Sequence, residues 1–93
     1  MSQKTPPVDW DAYVRELGLI LQRRRLALAL SQEDVAYAAG LTRSHYQQLE
    51  KGRSRPESPA NPSLLTLMCL AGALDVDIRD LLPTLPPARP ATA

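Results

Sequence analysis

Arg43, Ser44, Gln47 and Gln48 carry hydrogen-bonding groups within one short segment, and the chemistry open to them is recognition through paired donors and acceptors. An arginine fork can donate two parallel bonds to O6 and N7 of guanine. A glutamine amide can pair with N6 and N7 of adenine, each good pair discriminating by about 1–3 kcal/mol. Ser44 donates or accepts with equal ease and specifies little alone. Around these residues the charge is lopsided. Between Gln22 and Arg55 seven basic side chains stand against three acidic ones, although the whole chain carries a net charge of only +1. A basic segment coinciding with such side chains is the electrostatic footprint of a phosphate-binding face. The alternative for Gln47 and Gln48 is a pair of ordinary surface amides, and for the charges simple solvation.

Other chemistries find little support. Nothing resembles a nucleophile with a base and an orienting group, a glycine-rich phosphate loop or a paired-carboxylate site, so an enzyme is not expected. One cysteine and one histidine exclude a disulfide framework and leave almost nothing for zinc, so neither metal nor cofactor is expected. His45 reads as a surface or phosphate-proximal histidine, and Cys69 as a small hydrophobe. No apolar run approaches the roughly 20 residues that span a bilayer, and the segment before Val8 lacks a signal-peptide core. A reduced, cytoplasmic protein with no membrane contact is the expectation.

The elements that must position these side chains read as helices. Asp9 caps a first helix running to about Leu28, with Val8 and Tyr13 as a hydrophobic staple and Val14, Leu17, Leu21 and Leu28 as its apolar stripe. Ser31 and Asp34 form a capping box at the start of a second helix over 32–39, which Gly40 ends in a left-handed conformation. Leu41 plugs inward and Thr42 caps a third helix over 43–50, in which Tyr46 and Leu49 face the core. Two short helices joined by a glycine turn describe a helix-turn-helix, whose second helix can enter a DNA major groove.

Residues 53–60 form a proline- and serine-rich loop. Asn61 then caps a fourth helix with Pro62 in its first turn and Leu64, Leu67, Met68, Ala71 and Leu74 as its core face. Asp77 caps a last short helix from Ile78 to Leu82, with Asp80 completing a second capping box and Pro83 stopping it. The expected fold is all-α, a compact five-helix bundle over 8–82 with a flexible arm over 1–7 and a proline-rich flexible tail over 83–93.

The layout resembles the Cro and phage-repressor type of helix-turn-helix domain, the XRE family. The resemblance spans about residues 17–82 and is carried by Leu30-Ser31-Gln32-Glu33-Asp34-Val35-Ala36, Ala39-Gly40-Leu41-Thr42-Arg43-Ser44, Leu49-Glu50-Lys51-Gly52, Asn61-Pro62-Ser63-Leu64 and Ala73-Leu74-Asp75-Val76. It implies that Gln32 anchors a DNA phosphate. It also implies that Thr42, Arg43, Ser44, Gln47 and Gln48 face DNA, the last four reaching base edges, while Lys51, Arg53 and Arg55 hold the backbone. Arg25 and Glu50 correspond to an ion pair tying the first helix to the third, while Arg23 and Arg24 are left to water or phosphate. The implied function is a transcriptional regulator binding double-stranded DNA as a homodimer on a partly palindromic operator.

Two features depart from the family pattern. Eight residues, Arg53 to Ala60, stand where relatives have about two. They can lie along the DNA backbone, take part in a subunit contact or be a tolerated insertion. On the fourth helix, Leu65, Cys69 and Gly72 share a face that relatives usually fill with charge. Either the N-terminal extension with Trp10 and Tyr13 covers it, or a second subunit does, or it is an incidental patch. Two other functions fit the chain: an antitoxin binding both DNA and a protein toxin, and a protein-interaction module that has left DNA behind. A controller of a restriction–modification system and a phage regulator look alike at this level.

Overall fold

The computed structural model describes residues 9–55 and 58–84. In chain order the elements are α1 (Trp10–Ala27), α2 (Gln32–Ala39), α3 (Arg43–Lys51), β1 (Arg53–Arg55), β2 (Ser58–Pro59), α4 (Leu64–Ala73) and α5 (Ile78–Leu81). The five expected helices are all present. The expected flexible arm and Val8, the proposed staple residue, lie outside the described residues, as does the tail beyond Thr84. Pro83, placed in that tail by the sequence, is buried, so the folded body reaches past α5.

Local chemistry sets most helix ends. The Asp9 carboxylate accepts from the Ala12 N–H, Ser31 and Asp34 make both bonds of a capping box, and the Thr42 hydroxyl accepts from His45 N–H. α1 and α4 instead close in left-handed turns at residues that are not glycine, Ala29 and Asp75, each with φ of 57°. The following amides, Leu30 and Val76, bond back to Arg25 and Ala71. That six-residue closure satisfies carbonyls that a helix end otherwise leaves open.

The core is built from one face of each helix: Val14, Leu17 and Leu21 of α1, Val35, Ala36 and Ala39 of α2, Tyr46 and Leu49 of α3, Leu70 and Ala71 of α4 with Leu74, and Leu81 of α5. α1 packs on α3, α2 on α3 and α4, and α5 on α4 and α1. Gly18 makes the α1–α3 crossing close. A Cβ there would run into the Glu50 carbonyl and lie 2.7 Å from the Leu49 carbonyl oxygen.

Several local expectations are corrected. Leu28 is the α1 C-cap and partly exposed rather than part of the stripe, because the helix ends one residue before it. Within the expected loop, Arg53–Arg55 and Ser58–Pro59 are strands. Arg53 pairs with Pro59 and Arg55 with Ser58 in an antiparallel ribbon, Ser54 being the extra residue on its strand. α4 is capped by Ser63, whose hydroxyl accepts the Thr66 N–H, and not by Asn61. Its buried face is accordingly Leu70, Ala71 and Leu74 with Leu67 half-buried, while Leu64 and Met68 are 69% and 54% exposed. Asp77 caps α5 by accepting from Arg79 N–H and Nε, and α5 ends at Leu81; no return bond from Asp80 to Asp77 N–H closes a second capping box among the described residues.

Substituting Gly18 by alanine is therefore expected to destabilise the fold by about 1–3 kcal/mol, despite the better helix propensity of alanine, because backbone carbonyls cannot move aside as a side chain can. A denaturant titration of the variant measures it; unchanged or raised stability would contradict the close crossing.

Candidate nucleic-acid interface

α2 and α3 are held at a fixed angle by the turn between them. Gly40 adopts φ of 74°, its N–H and that of Leu41 bond back to Tyr37 and Ala36, and Thr42 starts the next helix at once. Leu41 packs against the core. On α3, Tyr46 and Leu49 are buried and fix which face turns outward. The outward face carries Ser44, Gln48 and Lys51 at a spacing of four and three residues, with Arg43 and His45 exposed in the first turn. Gln47 is half-buried at its border. Thr42 is exposed, its Oγ1 accepting from His45 N–H at 3.0 Å.

Below this face lies the polar junction that holds α1, α2 and α3 together. Arg25 Nε donates to Glu50 Oε2 at 2.6 Å and Arg25 Nη2 to Oε1 at 3.2 Å. A third donor, Arg25 Nη1, reaches the Leu30 carbonyl at 3.0 Å. Gln32 Nε2 donates to Glu50 Oε1 at 2.9 Å, joining the start of α2 to the end of α3. The expected ion pair is thus present and buried, its side chains only 11% and 4% exposed. Gln32 is half-buried, and its amide nitrogen carries a second N–H for an outside acceptor.

Burial alone raises the Glu50 carboxyl, but Arg25, the Tyr46 hydroxyl and Gln32 together more than offset it, so its pKa is lowered. The bond to Glu50 likewise raises the Arg25 guanidinium. Beside them the buried Tyr46 hydroxyl faces the Glu50 carboxylate and the Arg25 guanidinium without a well-formed hydrogen bond to either, and burial beside that carboxylate raises its pKa.

β1 follows α3 after Gly52, and Arg53 and Arg55 are both exposed on it. A shallow groove lined by His45, Gln48, Arg53, Ser54 and Asn61 joins the α3 surface to the ribbon. The structure therefore brings Arg43, Ser44, Gln48, Lys51, Arg53 and Arg55 to the exposed surface of two consecutive elements, with Gln32 tied to α3 through Glu50. Arg24 is elsewhere. Its Nε and Nη2 donate to the carbonyls of Leu74 and Asp75, closing the end of α4, rather than sitting in water or near phosphate. Arg23 lies 3.8 Å from Glu16 in an exposed pair.

Leu65 is 73% exposed, and Cys69 and Gly72 are exposed beside it. Trp10 and Tyr13 do not cover this face. Trp10 Nε1 bonds to the Ala60 carbonyl at 3.1 Å, and its ring stacks on Tyr13. Cys69, read as a small hydrophobe between apolar neighbours, is exposed as well. Two contributions were missed by sequence reasoning, the Arg24 cap and the Trp10 anchor. Each spans about fifty positions, for which no local pattern exists. Among the described residues no group of three or more His, Cys, Asp or Glu side chains is arranged to hold a metal ion, and no helix is long and apolar enough to cross a membrane.

A short capped helix, a glycine turn and a second helix with a buried anchor face and a polar outer face define a helix-turn-helix of the DNA-binding class. The family model for the helix-turn-helix domain matches residues 16–81, and the chain belongs to that family, in its C1/Cro (XRE) type. The restriction–modification controller protein C.AhdI from Aeromonas hydrophila is 37% identical, with 76% of this chain aligned to 98% of that one at a TM-score of 0.68. The hypothetical transcription factor NHTF from Neisseria is 27% identical over 92% of this chain and 88% of that one, also at 0.68. SinR, a master regulator of biofilm formation solved in complex with DNA, is 25% identical over 70% of this chain and 95% of that one, at 0.60. No curated protein matched the chain. The family and these neighbours are regulators, not enzymes.

Replacing Glu50 by alanine strands a buried guanidinium and is expected to cost about 3–5 kcal/mol at neutral pH. Because the folded carboxyl titrates below its unfolded counterpart, its contribution is complete above the ordinary glutamate range and is lost as the pH falls through the lowered folded value. Unfolding curves for parent and variant should therefore converge in acid; a difference independent of pH would exclude the pair as its source.

Proposed function

We propose that this chain is a sequence-specific transcription regulator that binds a partly palindromic operator as a homodimer in the cytoplasm. The observation that carries this is the outer face of α3, where Ser44, Gln48 and Lys51 stand exposed over the buried Tyr46 and Leu49. Arg43 and Gln48 read base edges, with Ser44 and Gln47 at the margin of that contact. Gln32, Lys51, Arg53 and Arg55 set the register by holding phosphates, and Thr42 borders the same backbone.

Dimerisation follows from α4. Leu64, Leu65 and Met68 are 69%, 73% and 54% exposed, and Cys69 and Gly72 continue the same apolar strip. A second copy would bury it about a two-fold axis and supply the second recognition helix. One helix contacts too few base pairs for useful selectivity, whereas two-fold half-sites about 34 Å apart multiply it.

Gln48→Ala should relax preference at one operator position by about 1–3 kcal/mol and leave random-sequence DNA nearly unaffected. Arg53→Ala should weaken all sequences alike and flatten the salt slope by about one. Fluorescence anisotropy at several salt concentrations separates the two, and equal losses on specific and random DNA for both variants would undo this division of labour. Leu65→Glu should give a monomer in sedimentation and lose operator affinity. A variant that remains dimeric would move the interface off α4, and a small second protein retained on that face would favour the antitoxin alternative.

A further inference from the structure

We propose that Trp10 is a positioning residue for DNA binding: it fixes the basic Arg53–Arg55 ribbon at one angle to the recognition helix without touching DNA itself. The inference rests on the reading that Arg53 and Arg55 contact the DNA backbone, and it goes beyond that reading by assigning a role to the start of α1.

A continuous chain of hydrogen bonds links α3 to Trp10. Gly52 N–H donates to the Leu49 carbonyl at 3.1 Å at the end of α3. The Gly52 carbonyl accepts from Ala60 N–H at 2.9 Å, which closes the base of the ribbon. The Ala60 carbonyl then accepts from Trp10 Nε1 at 3.1 Å. Each bond joins the next backbone unit, so both ends of the ribbon are referred to rigid helices rather than to solvent.

Packing reinforces the chain. Ala60 is 2% exposed, and the Trp10 ring is stacked on Tyr13 with centroids 5.7 Å apart. Gly52 has φ of 76° and sits so close to α1 that an added Cβ would lie 2.9 Å from Arg15 Cα. The ribbon therefore rests on the first turns of α1 through Trp10, Arg15 and the packing of β2. A short two-stranded ribbon has little stability of its own, so an external anchor decides how often its exposed arginines occupy one direction.

Trp10 stands before residue 16, where the family match begins, yet it is bonded to the base of a ribbon inside that match. A tolerated surface insertion has no need of a half-buried indole donor at its base, whereas a basic arm that must meet phosphates in register with α3 does.

The test is a double-mutant cycle on operator binding using the full chain, with Trp10→Phe, the pair Arg53→Ala and Arg55→Ala, and their combination. Trp10→Phe keeps a ring and removes the donor. It should weaken binding about two- to tenfold, the ratio corresponding to one modest hydrogen bond. Its salt slope should fall toward that of the arginine pair, and the combined variant should be no worse than that pair alone. Independent, multiplying effects, or an unaltered salt slope in Trp10→Phe, would overturn the proposal while leaving the arginine contacts standing. An arginine pair that binds like the parent would instead overturn the underlying reading, and the proposal with it.

Amide hydrogen exchange without DNA provides a second readout. In Trp10→Phe the Ala60 amide should exchange faster while core amides such as those of Leu21 and Leu70 keep their protection. Equal protection throughout, or a uniform loss across the whole domain, would reduce Trp10 to an ordinary packing residue.

Discussion

The Glu50 carboxylate is the point on which the three helices of the motif depend. It stands on α3 and accepts from Arg25 on α1 and Gln32 on α2, so one buried anion sets the relative position of all three. Burying charge is costly unless the geometry is good and the remaining donors are satisfied. Here the guanidinium spends its third donor on the Leu30 carbonyl, in the turn that leads into α2. An apolar pair would fill the same space but would fix the rotation of α3 less narrowly. The angle at which Arg43 and Gln48 leave the surface follows from that rotation, and the base contacts proposed for them would tolerate little error in it.

Gly18 serves the same junction from the other side. With no Cβ at that position, α1 lies directly against the carbonyls of Leu49 and Glu50, which brings Arg25 within bonding distance two turns further along. The ribbon extends this logic beyond the end of α3. Its base is tied through Gly52 and Ala60 to Trp10, again on α1. α1 is thus the reference body for both the recognition helix and the basic arm, although none of its residues was assigned to the DNA surface.

α4 follows a different economy. Its solvent side carries leucine, methionine and cysteine where a lone domain would carry charge, and water gains nothing from that arrangement. A patch of this kind is normal on a protein that associates and a liability on one that does not. In the proposed homodimer a single association would cover the α4 face and supply the second recognition helix.

Features that depend on neighbours within four residues were legible in the chain: the caps at Asp9, Ser31 and Thr42, the glycine turn at Gly40, the outward polar stripe of α3 and its buried Tyr46 and Leu49. Caps and stripes are relations between residues one helical turn apart, and the side chains concerned have few other uses. The Arg25–Glu50 pair was legible only through family resemblance, since nothing local links positions twenty-five apart. The phase of α4 was not legible, because a helix that is apolar on every side has no stripe to announce which side turns inward. Nor were the Trp10 anchor of the ribbon and the Arg24 cap on α4, whose bonds join segments about fifty residues apart. The sequence by itself determined which segments become helices and which side chains α3 offers to a ligand. Only the tertiary structure decided how those helices are rotated and where the inserted arginines stand, because rotation and placement are set by close packing and long-range bonds that exist once the chain has closed on itself.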